Sequence, residues 1–311
     1  MAYKGHIVMI LADLVWGLNA PIGKSVLTEI SPLALTMFRM GGAAAAFWLT
    51  SLFLPKERVE KKDFLPLFFA SILGIVINQG LFIFGLSETS PIDASIVCTT
   101  LPIMTMIVAA IFLKEPITFK KVAGIIIGAS GALILILSGR TGIGVNSSSW
   151  LGNLSIFIAQ LSVAIYLTLY KGLLTKYSPI TVTKWLFLYA SICFIPFAFR
   201  DVATINYLEL PAITYWEIFF VVFLATYLTY IFMTMGQGLL RPTVVSMYNY
   251  IQPIVASIVT VYIGMDTFGW NKWLAVLLVF SGVYVVTQSK SRAQLESEKN
   301  QSSAKSMTDE K

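Results

Sequence analysis

The sequence predicts an all-α integral membrane protein whose ten transmembrane helices form two inverted five-helix repeats. Three observations carry this reading. Ten apolar stretches each reach the roughly 20 residues that a helix needs to cross a bilayer. The Lys and Arg residues between them fall mostly on alternate loops, and a fixed offset superposes one half of the chain on the other.

Composition sets the solvent. Of 311 residues, 57% are hydrophobic and 12% charged, with a mean hydropathy of +0.78, which leaves too little polar surface to coat a soluble globule. The net charge of +6 does not point to nucleic acid, because the basic residues lie in loops between apolar spans rather than on one face. Cys98 and Cys193 sit inside apolar runs and read as small packed hydrophobes, giving neither a disulfide nor a metal framework. The first apolar run, Ile7 to Val15, follows Lys4 as a signal peptide would. Asp13 interrupts it, however, and no small-residue cleavage pattern follows, so it reads as the first transmembrane helix.

The ten stretches cover approximately 5–24, 33–54, 64–86, 92–113, 119–138, 150–171, 180–199, 213–236, 242–264 and 270–288. Turn chemistry marks their limits at Ser31-Pro32, Pro55, Ser90-Pro91, Glu115-Pro116, Ser178-Pro179, Pro211 and Arg241-Pro242. With the N-terminus in the cytoplasm, the inner segments hold thirteen basic residues: Lys4, Lys56, Arg58, Lys61, Lys62, Lys114, Lys120, Lys121, Lys171, Lys176, Arg241, Lys290 and Arg292. The outer loops hold four, Lys24, Arg140, Arg200 and Lys272, so the positive-inside rule places both termini in the cytoplasm. Residues 289–311 are rich in Ser, Lys and Glu and are expected to be a disordered cytoplasmic tail.

A shift of 147 aligns Ala12 with Ala159, Asp13 with Gln160, Lys24 with Lys171, Leu27 with Leu174, Ser31 with Ser178, Pro32 with Pro179 and Thr36 with Thr183. A shift of 151 aligns Pro91 with Pro242, Ser95 with Ser246, Pro102 with Pro253, Glu115 with Asp266 and Gly131 with Gly282. The repeats are therefore residues 1–143 and 144–288. Five helices per copy is an odd number, so the second copy enters the membrane from the opposite side, an architecture that often holds a substrate near the midplane between its halves.

At this point the residues show a family likeness. Trp16-Gly17 with Asn19, Pro32 with Arg39, then Pro102, Glu115 and Gly131, and in the second half Pro253, Asp266 and Gly282, together resemble the ten-helix EamA-type branch of the drug/metabolite transporter superfamily. Asp266 stands where that family more usually has Glu. The resemblance implies efflux of amino acids, other metabolites or drugs across a bacterial inner membrane.

Ionisable groups at membrane depth cost roughly 2.5–3.5 kcal/mol and normally face protein or a wet cavity. Asp13, Trp16, Gly17, Ala20 and Lys24 share one face of the first helix, a stripe suited to a cavity wall. Asp13 is a candidate for proton coupling or for binding a substrate amine, the other reading being a buried or vestibule carboxylate paired with a base. Arg39 either holds a substrate carboxylate or ties helices together, and its position also lets it snorkel outward. Further candidates for the pathway lining are Trp16, Asn19, Asn78, Gln79, Ser95, Thr99, Gln160, Tyr166, Tyr230, Ser246 and Tyr250, with Pro102 and Pro253 as bending points that free carbonyls in the middle of a span.

The expected activity is secondary transport of small organic metabolites, amino acids or related amphipathic solutes, outward across the inner membrane by alternating access. The expected partners are the substrate, the bilayer and protons as the candidate coupling ion, with no cofactor, metal or nucleic acid. A lipid-carrier flippase of the same superfamily is the alternative and would favour a laterally open apolar groove. An enzyme fits less well: His6 is the sole histidine, and no metal-ligand spacing or phosphate-binding glycine loop is present. The lack of a nucleotide motif also argues against an ATP-driven pump.

Overall fold

The structure, a computed structural model, describes residues 2–89, 94, 97–138, 149–262 and 270–290. These residues are helical, with no strand among them. The main helices are α1 (Ala2–Val26), α2 (Pro32–Leu52), α3 (Lys61–Glu88), α4 (Leu101–Phe112), α5 (Phe119–Ser138) and α6 (Trp150–Leu169). They continue with α7 (Pro179–Ala203), α8 (Ala212–Leu239), α9 (Pro242–Met247, Tyr248–Tyr250 and Ile251–Tyr262) and α10 (Trp270–Thr287). Six of them, α1, α2, α3, α6, α7 and α8, are long and apolar enough to cross a membrane, while α4 and Trp273–Thr287 of α10 are shorter apolar helices. The expected tail lies outside the described residues from 291 onward, as do Ser95, Pro91 and Asp266.

Local chemistry sets the helix starts. Ser31 accepts from the Ala34 N–H with Pro32 opening α2, and Ser178 accepts from the Thr181 N–H with Pro179 opening α7. The two serines also tie these helices together. Ser31 Oγ donates to Asp201 Oδ2 at 2.5 Å near the end of α7, and Ser178 Oγ donates to Glu57 Oε2 at 2.7 Å just beyond the end of α2. Start meets end at both places, so α2 and α7 run antiparallel. The end of α4 is set by Lys114, whose φ of 52° supplies a left-handed step while the Leu113 and Glu115 N–H groups both return to the Ala109 carbonyl.

Two sets of helix contacts leave no room for a side chain at a glycine. A Cβ on Gly282 would lie 2.5 Å from the Gly128 nitrogen and 2.6 Å from the Gly124 oxygen, so α5 and α10 touch backbone to backbone. In the second case the offset pairs reproduce a contact. A Cβ on Gly236 of α8 would meet Met9 Sδ of α1 at 2.5 Å, and one on Gly85 of α3 would meet Ile156 Cγ1 of α6 at 2.5 Å. Gly85 and Gly236 are 151 apart, and Met9 and Ile156 are 147 apart.

Both α3 and α8 contain a π-helical stretch, at Ile72–Ile77 and Phe220–Leu228. A widened turn of this kind frees carbonyls and re-aims side chains, and such turns are frequent at functional sites.

Several basic residues satisfy helix ends. The Lys24 ammonium donates to the carbonyls of Leu86, Ser87 and Thr89 at the end of α3, and that of Lys171 donates to the Leu240 carbonyl at the end of α8. Lys121 is buried rather than facing water, because its ammonium pairs with Glu115 at 2.6 Å. Lys184 lies 5.1 Å from the Trp48 ring centre, a cation–π contact. Around the start of α3, Lys176 pairs with Glu60 and Asp63 at 2.6 Å each, and Lys62 pairs with Glu60 at 2.8 Å.

Candidate functional site

The π-helical stretch of α8 organises the centre of the molecule. Thr226 Oγ1 donates to the Val221 carbonyl, five residues back, and accepts from Arg39 Nε of α2 at 3.0 Å. On the neighbouring residue, the Ala225 carbonyl accepts from Trp16 Nε1 of α1 at 2.9 Å. One turn further on, Tyr230 receives a hydrogen bond from Gln79 Nε2 of α3 at 3.0 Å, and its ring stands edge-on to Trp16 with centroids 6.0 Å apart. Helices α1, α2 and α3 each deliver a polar side chain to this one segment.

These residues edge a cavity of about 1060 Å³, part of it open to solvent. Trp16, Asn19, Arg39, Asn78, Gln79, Thr99, Gln160, Tyr230, Ser246 and Pro253 are among the residues that line it. Asn78 also donates to the Ala159 carbonyl at 3.1 Å, binding α3 to α6. Gln160 Nε2 donates to Cys98 Sγ at 3.3 Å, so Cys98 faces the cavity as well as packing.

Other candidates stand behind the wall. Asp13 is fully buried, with Oδ1 accepting from Gln252 Nε2 at 2.8 Å while Oδ2 has no partner among the described residues. Gln252, which does line the cavity, also donates to Asn249 Oδ1 at 3.1 Å, so the carboxylate reaches the cavity through an amide. Tyr166 is buried with its ring over Gly74, where a Cβ would come within 2.8 Å, and its hydroxyl bonds to Gln237. Tyr250 is fully buried, and its hydroxyl donates to the Thr99 carbonyl at 3.3 Å. Pro102 is buried near the start of α4 and does not line the cavity, and Ser95 lies outside the described residues.

Two expectations from the sequence are corrected here. Arg39 does not snorkel to a surface: it is 4% exposed and held on Thr226. The stripe on α1 is largely a packing face, with Gly17 against Val255 of α9 and Lys24 on the end of α3, and among the described side chains from Asp13 to Lys24 the ones that line the cavity are Trp16 and Asn19. The apolar lining, including Met9, Phe82, Leu101, Val163, Leu167 and Met233, was not singled out from the sequence, because an apolar side chain facing a cavity and one facing lipid look alike in a hydrophobic helix.

Both prolines follow a break in α-helical backbone. The three residues Tyr248–Tyr250 of α9 form a 3₁₀ turn ahead of Pro253, and Thr99 and Thr100 form a turn ahead of Pro102. Proline lacks the N–H that would bind the carbonyl four residues back, so Asn249 and Cys98 lose that helical partner.

Against known proteins, the EamA-like transporter family profile matches twice, at residues 3–137 and 150–288. The chain belongs to the EamA-like transporter family. An uncharacterized transporter of Archaeoglobus fulgidus is 31% identical over 194 residues, covering 62% of this chain and 67% of the relative. The uncharacterized transporter YyaM of Bacillus subtilis is 24% identical, covering 83% and 86%, and YetK of the same organism is 22% identical, covering 92% and 87%. A solved crystal structure shares the fold with a TM-score of 0.72 at 15% identity, covering 92% of this chain and 96% of its own. As an EamA-like protein, the chain is a multi-pass membrane protein of a transporter family, within the drug/metabolite transporter superfamily.

Proposed function

We propose that this EamA-like protein is a secondary transporter that exports small amphipathic metabolites, amino acids or related solutes, across a bacterial inner membrane by alternating access. The observation that carries this reading is the central cavity, whose polar wall draws on both halves: Trp16, Arg39 and Gln79 from the first, Gln160, Tyr230 and Ser246 from the second. A cavity walled by both halves changes shape when the halves move against each other.

In this reading, residues 1–143 and 144–288 are inverted repeats and all ten helices span the membrane, with both termini and the 289–311 tail in the cytoplasm. Three features support it: the separate family matches to each half, the antiparallel run of α2 against its offset partner α7, and the repeated contacts Met9–Gly236 and Ile156–Gly85. Pro102 and Pro253 serve as the paired bending points. Asp13 is the proton-coupling group, reaching the solute through Gln252.

The test is counterflow and export in proteoliposomes across a panel of amphipathic metabolites, run at several pH values. The expected result is saturable exchange of at least one solute, with a pH dependence that Asp13→Asn flattens. If no solute on the panel moves faster than in protein-free vesicles, the transport reading fails. A pH profile unchanged by Asp13→Asn removes the proton role alone.

A further inference from the structure

Arg39 is a buried cation at the wall of a cavity that is partly open to solvent, and no carboxylate among the described residues answers its charge. Its Nε is engaged by Thr226, while none of its nitrogens pairs with a carboxylate among the described residues. Asp13, the other ionisable side chain at this depth of α1 and α2, is bound to Gln252 instead. A guanidinium removed from water normally has an anionic partner, because its desolvation is otherwise uncompensated. It is also costly to place in a membrane, so an arginine retained there without a partner marks a point where charge arrives from outside the fold.

The surroundings narrow the class of ligand. With Nε fixed, the two terminal nitrogens present the planar fork that fits both oxygens of a carboxylate. Two acceptors line the same cavity, Asn19 Oδ1 and Gln79 Oε1, both buried and both without a partner among the described residues. They suit an N–H donor on the ligand. The same cavity is also lined by the apolar side chains of Phe82, Leu101, Val163 and Leu167. The geometry points to a binding site for an organic carboxylate that carries an N–H donor and an apolar body, with Arg39 as the group that reads the carboxylate. This assignment rests on reading the cavity as the substrate pathway and deepens it: Arg39 becomes a specificity residue, and the amides of Asn19 and Gln79 choose between acids with and without the donor.

The experiment uses the full chain in lipid nanodiscs and measures equilibrium binding of six probes: leucine and phenylalanine, their deaminated acids, and their carboxamides. The carboxamides keep the shape and the amine but lack the anion. The expected order is amino acid, then deaminated acid, then carboxamide, with at least a tenfold gap between an amino acid and its carboxamide. Arg39→Gln is expected to weaken the amino acids by about 30-fold or more, the size of a buried charge contact, and to bring them level with the carboxamides. Arg39→Lys, which keeps the charge and loses the fork, is expected to fall between.

The wild-type series needs no variant, so misfolding of Arg39→Gln does not shelter the idea. Equal binding of acids and carboxamides by the wild type overturns it, and so does an Arg39→Gln protein that weakens all six probes by the same factor, the mark of a purely structural arginine. Failure of both acid pairs to bind also overturns it. The transport reading is decided separately, by whether any solute exchanges in the counterflow panel.

Discussion

Set side by side at their offsets, the two halves agree in their frame and differ at the cavity. Ser31 and Ser178 cap corresponding helices and grip a carboxylate on the opposite helix end, Lys24 and Lys171 both bind carbonyls at the ends of corresponding helices, and α3 and α8 both carry a π-helical stretch. Around the cavity, the first half places Asp13, Asn19, Arg39 and Gln79 where the second places Gln160, Tyr166, Leu186 and Tyr230. The two residues of this set that carry a formal charge at neutral pH, Asp13 and Arg39, belong to the first half. Residues that position helices have the same chemistry at matching positions of the two halves, whereas those at the cavity wall or just behind it differ. A frame can thus remain two-fold while the site it encloses does not.

The largest expected effect breaks the frame. Gly282→Val puts two methyl groups where α5 backbone stands, and we expect a loss of about 3 kcal/mol, the upper range for overpacking, read as a fall in thermal stability of the detergent-solubilised protein. By contrast, Gln79→Leu on the cavity side is expected to leave stability within about 1.5 kcal/mol, the net worth of one hydrogen bond. If the glycine change is as mild as the cavity change, the division between frame and site is wrong.

A second test asks whether the two copies of the frame carry equal weight. Ser31→Ala and Ser178→Ala each remove a helix cap and a carboxylate contact, and each is expected to cost about 1 kcal/mol. A cost confined to one of them, measured by the same melt, means that the duplicated geometry is not matched by duplicated energetics.

The smallest effect is a pH dependence at one end of the α2/α7 pair. Burial pushes the Glu57 carboxyl up, but hydrogen bonds from Thr181 and Ser178 outweigh that and hold it below the usual carboxylate range. A lowered folded value gives stability that is present above the ordinary carboxylate pKa of about 4.3 and lost as pH falls through the folded value. Wild type is therefore expected to exceed Glu57→Gln by a few tenths of a kcal/mol near neutrality, as for a part-exposed ionic contact, with the gap closing on acidification. A gap that widens as the pH drops contradicts the assigned hydrogen bonds.

The sequence carried the helical class and the position of most helices, because apolar runs bounded by Ser-Pro and Arg-Pro steps leave a helix few other places to begin. Ten of the fifteen residues chosen from the sequence line one cavity: Trp16, Asn19, Arg39, Asn78, Gln79, Thr99, Gln160, Tyr230, Ser246 and Pro253. They were legible because a polar group inside an apolar span needs a polar neighbour. The same argument could not separate Asp13 or Tyr250 from them, since a partner on another helix satisfies a buried polar group as well as a cavity does. Nor could it find the π-helical stretch of α8. FVVFLATYL reads as an ordinary apolar helix, and only the meeting of Arg39, Trp16 and Thr226 shows what the widened turn holds.

The glycine seam between α5 and α10 has a further consequence, for entropy. Where Gly124 and Gly128 meet Gly282 there are no rotamers to freeze, so the close approach of these helices costs no side-chain freedom, while the contact gains dispersion along bare backbone. Elsewhere, as at the Trp16–Tyr230 and Phe47–Phe187 contacts, large rings can exchange one packing for another. At these glycines the seam has no side chain of its own to rearrange. This seam is therefore expected to be the contact between the two halves that changes least, with rearrangement of the cavity falling to the helices that carry the rings.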